Sequence, residues 1–442
     1  MIKNWEQYLP SFIRRQFEGR KNLKKITENI GWLFFDKILR MGMGLVVGVW
    51  VARYLGPELF GTWNYALAFS ALFGTFATLG LDGIAVRELV KTPEKENEIL
   101  SSAFILCLAG GVFAFLASGA AISILKPQDT LTFWLVVIAS AGFIFQSFMV
   151  IDYHNQAKLR SKNTVIAMNS AFIVNSAVRV GFILFKAPLM AFAIAGLAEI
   201  ALGTALMLIF YFKKNKKFIF TPYLVQIKTL LKDSWPLILS GLAIMVYMKI
   251  DQIMIGEMLG ETAVGLYSAA VKISEVWYFI PIVITSSLFP SIVEAKKQDE
   301  KLYYKRLQQL YSLMILISAA IALPMTFLSD WVIRFLYGDA YLLAASVLSI
   351  HIWAGIFVFL GVASGQWLLI ENLQKIALKR TLFGVISNII LNFFLIQKLS
   401  IFGAALATLI SQSIAAFFYD FFDQSTKKIF FLKLKAFLIW RI

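Results

Sequence analysis

About twelve stretches of roughly twenty apolar residues fill the chain from Ile30 to Phe422, and they constrain its fold more than any other feature. A run of about twenty apolar residues is long enough to cross the hydrocarbon core of a bilayer as an α-helix. A helix also satisfies its own backbone N–H and C=O groups, which lipid cannot do. Hydrophobic residues make up 59% of the chain, which leaves no room for a soluble domain. The sequence therefore predicts an all-α, polytopic membrane protein.

The apolar stretches predict twelve transmembrane helices, with edges accurate to about 2–4 residues. The predicted helices span residues 29–53, 58–80, 99–125, 130–153, 163–186, 189–212, 234–257, 263–288, 307–333, 341–370, 379–397 and 401–422. The outer connections are short, which is usual between packed helices. We therefore expect no extramembrane catalytic domain, and we expect that the protein is not an enzyme.

Basic residues are distributed very unevenly along this pattern. If the N-terminus is cytoplasmic, 32 of the 42 Lys and Arg residues lie in inner segments and only five in outer loops. Such a bias sets the orientation of membrane proteins, so both termini are predicted to be cytoplasmic. The net charge of +16 then faces anionic lipid headgroups, and we expect no nucleic-acid partner.

A repeated pattern divides the chain into two halves. Leu55-Gly56-x4-Gly61-x4-Ala66 recurs as Leu259-Gly260-x4-Gly265-x4-Ala270, and every matching position is offset by 204 residues. Six helices separate the copies, so both copies have the same orientation, as in a parallel repeat. The predicted domains are lobes at residues 1–212 and 234–426, a polar cytoplasmic linker at 213–233 and an interfacial tail at 427–442. Residues Trp5 to Phe17 are predicted to form a second amphipathic surface helix.

Three charged residues of the first helix, Asp36, Lys37 and Arg40, fall at hydrocarbon depth. Arg40 lies about eleven residues, or ~17 Å, from the inner end, which is near the midplane. An Arg there costs on the order of 2.5–3.5 kcal/mol unless it faces water or a partner. Asp36 precedes it by one helical turn, so an intrahelical ion pair and a cavity-facing Arg40 are both compatible with the sequence.

The fifth and sixth helices carry one buried charge each, Arg179 beside Asn175 and Glu199 in an apolar run. Ionisable residues inside a membrane segment are functional candidates. The pattern leaves two alternatives for Glu199, which are a proton-coupling site and an ion-pair partner of Arg179.

The seventh and eighth helices hold a second group of charges. Lys249 and Asp251 are two residues apart and cannot share a helix face, so we expect one to face a cavity and the other a neighbouring helix. Lys272 and Glu275 share a face. The four form either one functional cluster or a buried structural network. The aromatic residues nearby are predicted to contact sugar or lipid, or else to belong to the core: Tyr247, Tyr267, Trp277 and Tyr278.

The interior charges sum to a slight positive excess, since five bases (Lys37, Arg40, Arg179, Lys249, Lys272) face four acids (Asp36, Glu199, Asp251, Glu275). A cationic interior stabilises an anion, and phosphate is the natural candidate. Asp420 lies near a cytoplasmic helix end, where we expect it to be solvated. The single Cys107 and the distant His154 and His351 predict no disulfide and no metal site.

Several motifs resemble those of O-antigen flippases, the polysaccharide-transporter branch of the multidrug/oligosaccharidyl-lipid/polysaccharide (MATE-like) exporter superfamily. The similar runs are Lys249-Ile-Asp251-Gln252 to Gly260, Gly265-Leu-Tyr267 to Glu275, Arg53-Tyr-Leu-Gly56-Pro57-x3-Gly61, Gly80-Leu-Asp82-Gly83, Asn372-Leu-Gln-Lys375, Lys379-Arg380-Thr381 and Asn388-x3-Asn392. The resemblance covers nearly the whole chain.

This resemblance implies two six-helix lobes around a cationic cavity that alternates between the leaflets of a bacterial or archaeal cytoplasmic membrane. The implied cargo is an undecaprenyl-diphosphate-linked oligosaccharide, and Arg40, Lys249 and Lys272 match the basic cavity residues of the family. The implied partners are membrane lipids, with a polysaccharide polymerase and assembly proteins as further candidates. We expect no cofactor, although coupling to an H+ or Na+ gradient fits the buried acids.

Two alternatives remain. A drug or cation antiporter of the same superfamily would need an acidic or apolar cavity, whereas these helices carry an excess of bases. A membrane enzyme of polysaccharide assembly would need a catalytic motif in a sizeable loop, and the short loops argue against one.

Overall fold

The computed structural model describes residues 21–214 and 219–438, and all regular structure in these ranges is helical. The predicted surface helix at Trp5–Phe17 and the last residues of the predicted tail, 439–442, lie outside the described residues. The helices are α1 (21–55), α2 (57–78 and Leu81–Lys91), α3 (Glu96–Leu125), α4 (Thr130–Ala157), α5 (Ser161–Leu184), α6 (Leu189–Lys214), α7 (Leu224–Leu259), α8 (Glu261–Gln298), α9 (Glu300–Tyr337), α10 (Leu343–Ile370), α11 (Gln374–Leu399), α12 (Ile401–Phe422) and α13 (Lys427–Phe437).

Eleven helical stretches within the described ranges are long and apolar enough to cross a membrane. The first of them, Gly31–Lys91, contains a kink at Gly56 and therefore counts as two crossings. The polytopic all-α fold predicted from the apolar stretches is thus confirmed, with α1 to α12 as the crossing helices.

Several of these helices are interrupted in a way that the sequence did not predict. α2 turns at Leu79 and Gly80, which both have positive φ. α4 contains a 3-10 turn at Ser147–Met149, and α8 contains one at Val276–Tyr278. α12 widens to a π-helix at Ile414–Phe418. α7 starts at Leu224, so the second half of the segment predicted as a linker is helical.

The described chain separates into two compact units. Unit 1 comprises residues 1–47, 76–117 and 137–238, and unit 2 comprises 48–75, 118–136 and 239–442. Parts of α1 to α4 pack with the second half of the chain. The lobes at residues 1–212 and 234–426 stay a prediction. Unit 1 has a core built on Leu81, Ile99, Leu100 and Leu230, all of them fully buried.

Unit 2 contains a core of α8, α9, α10 and α12, and the C-terminal helix α13 packs against it. Lys433 of α13 is fully buried, and its Nζ lies 2.6 Å from a carboxylate oxygen of Asp420. The same Nζ donates a hydrogen bond to the carbonyl of Ala416 inside the π-helix. Asp420 is only 1% exposed and also faces Arg380 at 3.5 Å. The expectation of a solvated Asp420 is therefore wrong, because α13 folds back over the end of α12.

The repeated turns adopt the same backbone conformation at matching positions. Gly56 has φ 74° and ψ 170°, and Gly260 has φ 88° and ψ 178°. Such angles strain any residue with a Cβ atom, so glycine is required at both turns.

α2 and α8 then cross at the next glycine of each copy. A Cβ atom on Gly61 would lie 1.7 Å from the carbonyl oxygen of Glu261, and one on Gly265 would lie 1.9 Å from that of Pro57. These two contacts exchange under the 204-residue offset, so the crossing inside unit 2 is reciprocal. Reciprocity of this kind is typical of a contact on a twofold axis. It supports the predicted parallel repeat, while the superposition of whole lobes stays a prediction.

Candidate functional site

A group of charged and polar side chains joins α1, α5 and α6 of unit 1. Arg40 donates from Nε to Asp36 at 3.0 Å, as the one-turn spacing predicted. Glu199 lies between the two arginines, 3.8 Å from Nη1 of Arg40 and 3.9 Å from Nη2 of Arg179. Asn175 donates to the same carboxylate at 2.5 Å. The structure therefore brings together four of the predicted site residues.

We call this set the arginine group: Asp36, Arg40, Asn175, Arg179 and Glu199. Its two arginines make only long contacts with Glu199. Distances of 3.8 and 3.9 Å are too long for hydrogen bonds, so Glu199 attracts both guanidinium groups without fixing them. Nε of Arg179 is buried and has no hydrogen-bond partner among the described residues. The Arg40 guanidinium also lies 5.3 Å from the centre of the Phe172 ring, a cation–π distance.

The charge of the arginine group is balanced, with two bases and two acids, whereas the sequence predicted a slightly cationic interior. Lys37 is exposed and does not contact the group in the described residues. Glu199 is the ion-pair partner of Arg179, as one of the two alternatives proposed, and Arg40 shares it. If a ligand displaces the Glu199 carboxylate from the two arginines, the side chains that face the ligand carry a net positive charge.

Asp251 occupies a different environment in unit 2. It is 6% exposed, and its carboxylate accepts hydrogen bonds from Tyr267 at 2.7 Å, Thr408 at 2.5 Å and Asn392 at 2.6 Å. Asp251 therefore faces neighbouring helices. We expected this of one member of the pair Lys249 and Asp251. The donors to Asp251 are neutral, while Glu275 interacts electrostatically with Asp251 and with Lys249 and Lys272. The choice between one functional cluster and a buried structural network therefore stays open.

One acceptor beside Asp251 is left over. Asn392 is fully buried, donates to Asp251 and to Asn388, and keeps its side-chain carbonyl oxygen without a partner in the described residues. Buried acceptors are nearly always satisfied, so an orphan of this kind indicates a ligand, an ion or a water. We call this set the aspartate group: Asp251, Tyr267, Asn388, Asn392 and Thr408.

The remaining charges of α7 and α8 lie close to one another. Glu275 interacts electrostatically with both Lys249 and Lys272. Lys272 is exposed, and its Nζ lies 4.5 Å above the centre of the Phe60 ring. An ammonium group within about 6 Å of an aromatic ring centre is attracted to the face of that ring.

The four predicted aromatic contacts have different surroundings. Tyr267 is 1% exposed and bonds to Asp251, so no cargo reaches it in this conformation. Tyr247 donates to Ser411 at 3.3 Å, while Trp277 and Tyr278 pack beside the core of unit 2. A cargo-contact role for these residues stays a prediction.

Sequence reasoning missed Thr408, which belongs to the aspartate group, and Phe172, whose ring lies beside the Arg40 guanidinium. Neither residue is charged, and each meets its partner only because two different helices pack together. Asn388 and Asn392 had a visible signal, since two amides one turn apart on an apolar helix are costly unless both are bonded.

Comparison with known proteins indicates the family to which the chain belongs. The profile of the family described as polysaccharide biosynthesis protein matches residues 26–296, and the MatE profile matches residues 236–394. A probable low-salt glycan biosynthesis flippase, Agl15 of Haloferax volcanii, is 25% identical over 86% of this chain and 79% of its own length. A putative O-antigen transporter of Shigella flexneri is 23% identical over 86% of this chain and 94% of its own.

Among solved structures, the chain resembles the inward-facing conformation of a multidrug resistance MATE family transporter of the MOP superfamily. The TM-score is 0.76 at 16% sequence identity, and the match covers 90% of this chain and 96% of that one. At this identity the likeness shows the fold alone. Because the first profile covers more than half of the chain, the protein belongs to the polysaccharide biosynthesis protein family of MATE-like membrane proteins.

Proposed function

We propose that the protein is a flippase for a polyprenyl-diphosphate-linked oligosaccharide, the repeat unit of an O-antigen or another surface polysaccharide. The observation that carries the proposal is the arginine group, in which two guanidinium groups share one carboxylate at distances too long for hydrogen bonds. Membership of the polysaccharide biosynthesis family supports the same cargo class, and so do the names of the two relatives, a glycan biosynthesis flippase and an O-antigen transporter.

The chemistry of the arginine group suits a diphosphate. Arginine presents a planar fork of donors that matches phosphate oxygens, and it stays charged at any physiological pH. A diphosphate entering beside Arg40 and Arg179 replaces two long contacts to Glu199 with charge-assisted hydrogen bonds. Lys272, which is exposed on α8, is a further basic candidate for binding the anion during transport.

Transport follows by alternating access in a bacterial or archaeal cytoplasmic membrane, with both termini cytoplasmic and the cargo moved to the outer leaflet. The positive-inside distribution of basic residues supports this orientation. No covalent bond forms or breaks in the process. The cargo is supplied by enzymes that build the glycan on the cytoplasmic side, and polysaccharide polymerase and assembly proteins are the partners that would use it outside.

The experiment that tests this function measures flipping and export together. Deleting the gene should cause lipid-linked glycan to accumulate on the cytoplasmic leaflet, and the wild-type gene should restore export. Arg40→Ala and Lys272→Ala should each fail to restore it at normal membrane levels. Arg334→Ala is the matched control, since Arg334 is 64% exposed and pairs with the exposed Asp339. Full export by both test variants would refute a cationic phosphate site.

The coupling ion, Na+ or H+, is carried by the aspartate group. Asp251 is the most buried of the four candidate acids, whereas Asp36 and Glu199 already face arginines. A carboxylate, an orphan amide oxygen and a hydroxyl are oxygen ligands of the kind that hard cations prefer. A proton on Asp251 would satisfy the orphan oxygen of Asn392 equally well after a small rotation.

The two ions are distinguished by one measurement. Uptake of a fluorescent prenyl-diphosphate probe into proteoliposomes should depend on a sodium gradient or on a pH gradient, and Asp251→Asn should remove that dependence. Asp330→Asn, at an exposed position of α9, should preserve it. A gradient response that survives in Asp251→Asn would assign coupling to another acid.

A further inference from the structure

A cavity of about 540 Å3, with a mostly apolar lining that carries several polar side chains, lies within unit 1 among α2, α4, α5 and α6. This volume falls within the usual range of small-molecule sites. Its hydrogen-bonding walls come from Asp82, Gln146, Asp152, Tyr153, Gln156 and Thr204. The described lining contains two carboxylates and two amides but no lysine or arginine, so the cavity differs in charge from the arginine group beside it.

Two interruptions of helices create the space. α2 turns at Leu79 and Gly80 and restarts at Leu81, which places Asp82 in the first turn of the new segment. α4 tightens to a 3-10 turn at Ser147–Met149 and resumes at Val150, which brings Asp152 and Tyr153 to the wall. The motif Gly80-Leu81-Asp82-Gly83, which the arginine group does not use, therefore has a place in this cavity.

Each carboxylate is oriented by a neighbour. Tyr153 donates to Asp82 at 2.5 Å, and Gln156 donates to Asp152 at 2.7 Å. A fixed carboxylate accepts hydrogen bonds from two adjacent hydroxyl groups, and an amide both donates and accepts. Carboxylates and amides in one pocket match the vicinal hydroxyl groups of a sugar. They repel a phosphate.

The cavity lies next to the arginine group. Met168 of α5 lines the cavity, and Phe172, four residues later, lies under the Arg40 guanidinium. Four residues of helix correspond to about 6 Å along the axis. Asp36 also acts electrostatically on Asp152. A group bound by Arg40 and a group bound in the cavity are therefore neighbours, as the diphosphate and the first sugar are in the proposed cargo.

We propose that this cavity is a sugar-binding subsite, in which Asp152 and Gln146 bind hydroxyl groups of the sugar attached to the diphosphate. The inference rests on the proposed flippase function and extends it. The division of labour follows from charge, since arginines take the anion and carboxylates take the neutral, hydroxyl-rich sugar. Asp82 is exposed, so the cavity reaches the surface of unit 1.

The test separates sugar binding from phosphate binding. The full-length protein in lipid nanodiscs is titrated calorimetrically with farnesyl diphosphate and with farnesyl diphosphates that carry N-acetylglucosamine or galactose. The ratio of Kd for the bare probe to Kd for the better sugar probe measures the contribution of the sugar. In the wild type we expect a ratio of about ten or more, since hydrogen bonds to charged groups are strong.

Asp152→Asn and Gln146→Leu should each reduce this ratio to near one and leave Kd for the bare probe unchanged. An unchanged Kd for the bare probe also shows that the variants are folded. Gln146 lines the cavity independently of Asp152, so its variant serves if Asp152→Asn misfolds. Asp330→Asn, at the exposed position on α9, is the matched control and should keep the wild-type ratio.

Four results would overturn the inference. A ratio near one in the wild type, with the bare probe bound, would show that the sugar is not recognised. A ratio that both variants preserve would place sugar recognition elsewhere, and sodium dependence lost in Asp152→Asn at an unchanged ratio would make the cavity a cation site. If neither probe binds the wild type, the proposed function itself fails, and this inference fails with it.

Discussion

The reciprocal crossing of α2 and α8 makes a quantitative prediction for Gly61→Ala. The new Cβ atom would lie 1.7 Å from the carbonyl oxygen of Glu261, whereas ordinary contact begins near 3.4 Å. The two backbones must therefore part by about 1.7 Å at this point. Forcing extra atoms into a packed contact costs about 1–3 kcal/mol. If the crossing opens during transport, the open population should rise by roughly 5- to 150-fold.

The assay is a distance distribution from double electron–electron resonance. Spin labels on cysteines at Glu58 and Thr262, which are equivalent under the 204-residue offset, report on the crossing without belonging to it. Both positions are exposed. Gly61→Ala should add a longer distance to the distribution. Gly48→Ala is the matched control, since nothing lies within 4 Å of its Cβ position.

The reciprocity adds a sharper requirement. Gly265→Ala strains the same crossing from the other side, with its Cβ atom 1.9 Å from the carbonyl oxygen of Pro57. One separation relieves both clashes, so the double variant should shift the population little more than either single variant. Unchanged distances in both single variants would refute the reasoning, and so would fully additive shifts in the double variant.

Three further predictions concern movement, cargo and the C-terminal helix. A disulfide between Tyr54→Cys and Thr262→Cys should block transport reversibly, and Thr262 is preferable to Gly260, whose φ of 88° disfavours cysteine. Arg40→Lys should retain part of the export that Arg40→Ala loses, since it keeps the charge but not the fork. Lys433→Met should lower the stability by about 3–5 kcal/mol in denaturation assays, because it removes the base that lies nearest to the buried carboxylate of Asp420. Burial lowers the pKa of Lys433 to about 8, so the unfolding free energy of the wild type, but not of Lys433→Met, should rise with pH between about 8 and 10.5.

The helices could be predicted because a bilayer demands long apolar runs, and those runs are visible in any sequence. The start of α7 at Leu224 was missed, although Leu224, Ile227 and Leu231 already follow a helical period. That stretch is short and is flanked by lysines, so its polarity resembled a linker. The first part of α7 contributes to the core of unit 1, because Leu230 is fully buried there.

Interactions within one helix could also be predicted, whereas those between helices could not. Asp36 and Arg40 pair because one turn separates them, which is a property of spacing alone. The partners of Asp251 come from α8, α11 and α12, and which faces meet there depends on helix rotation and crossing. Asp420 illustrates the same limit, because its burial depends on a tail that returns to the bundle.

The last prediction concerns one pair of matching positions at which the two halves of the chain carry different residues. Leu159 and Asn372 have φ of 54° and 57° just before α5 and α11, and they are 213 residues apart. The same offset relates Asn175 to Asn388 and Arg179 to Asn392. Arg179 faces Glu199 in one copy, while Asn392 donates to Asp251 in the other.

An arginine at this position favours an anion, and an amide beside a carboxylate favours a cation, so one ancestral polar pair can serve opposite charges in the two copies. Arg179→Asn makes the α5 pair identical to the α11 pair. It should weaken farnesyl diphosphate binding about tenfold or more in nanodisc titrations, since a charged donor is lost. The response of Asp251 to the coupling ion should persist, because that group belongs to the other copy. Loss of the ion response together with unchanged diphosphate affinity would reverse the assignment of the two copies.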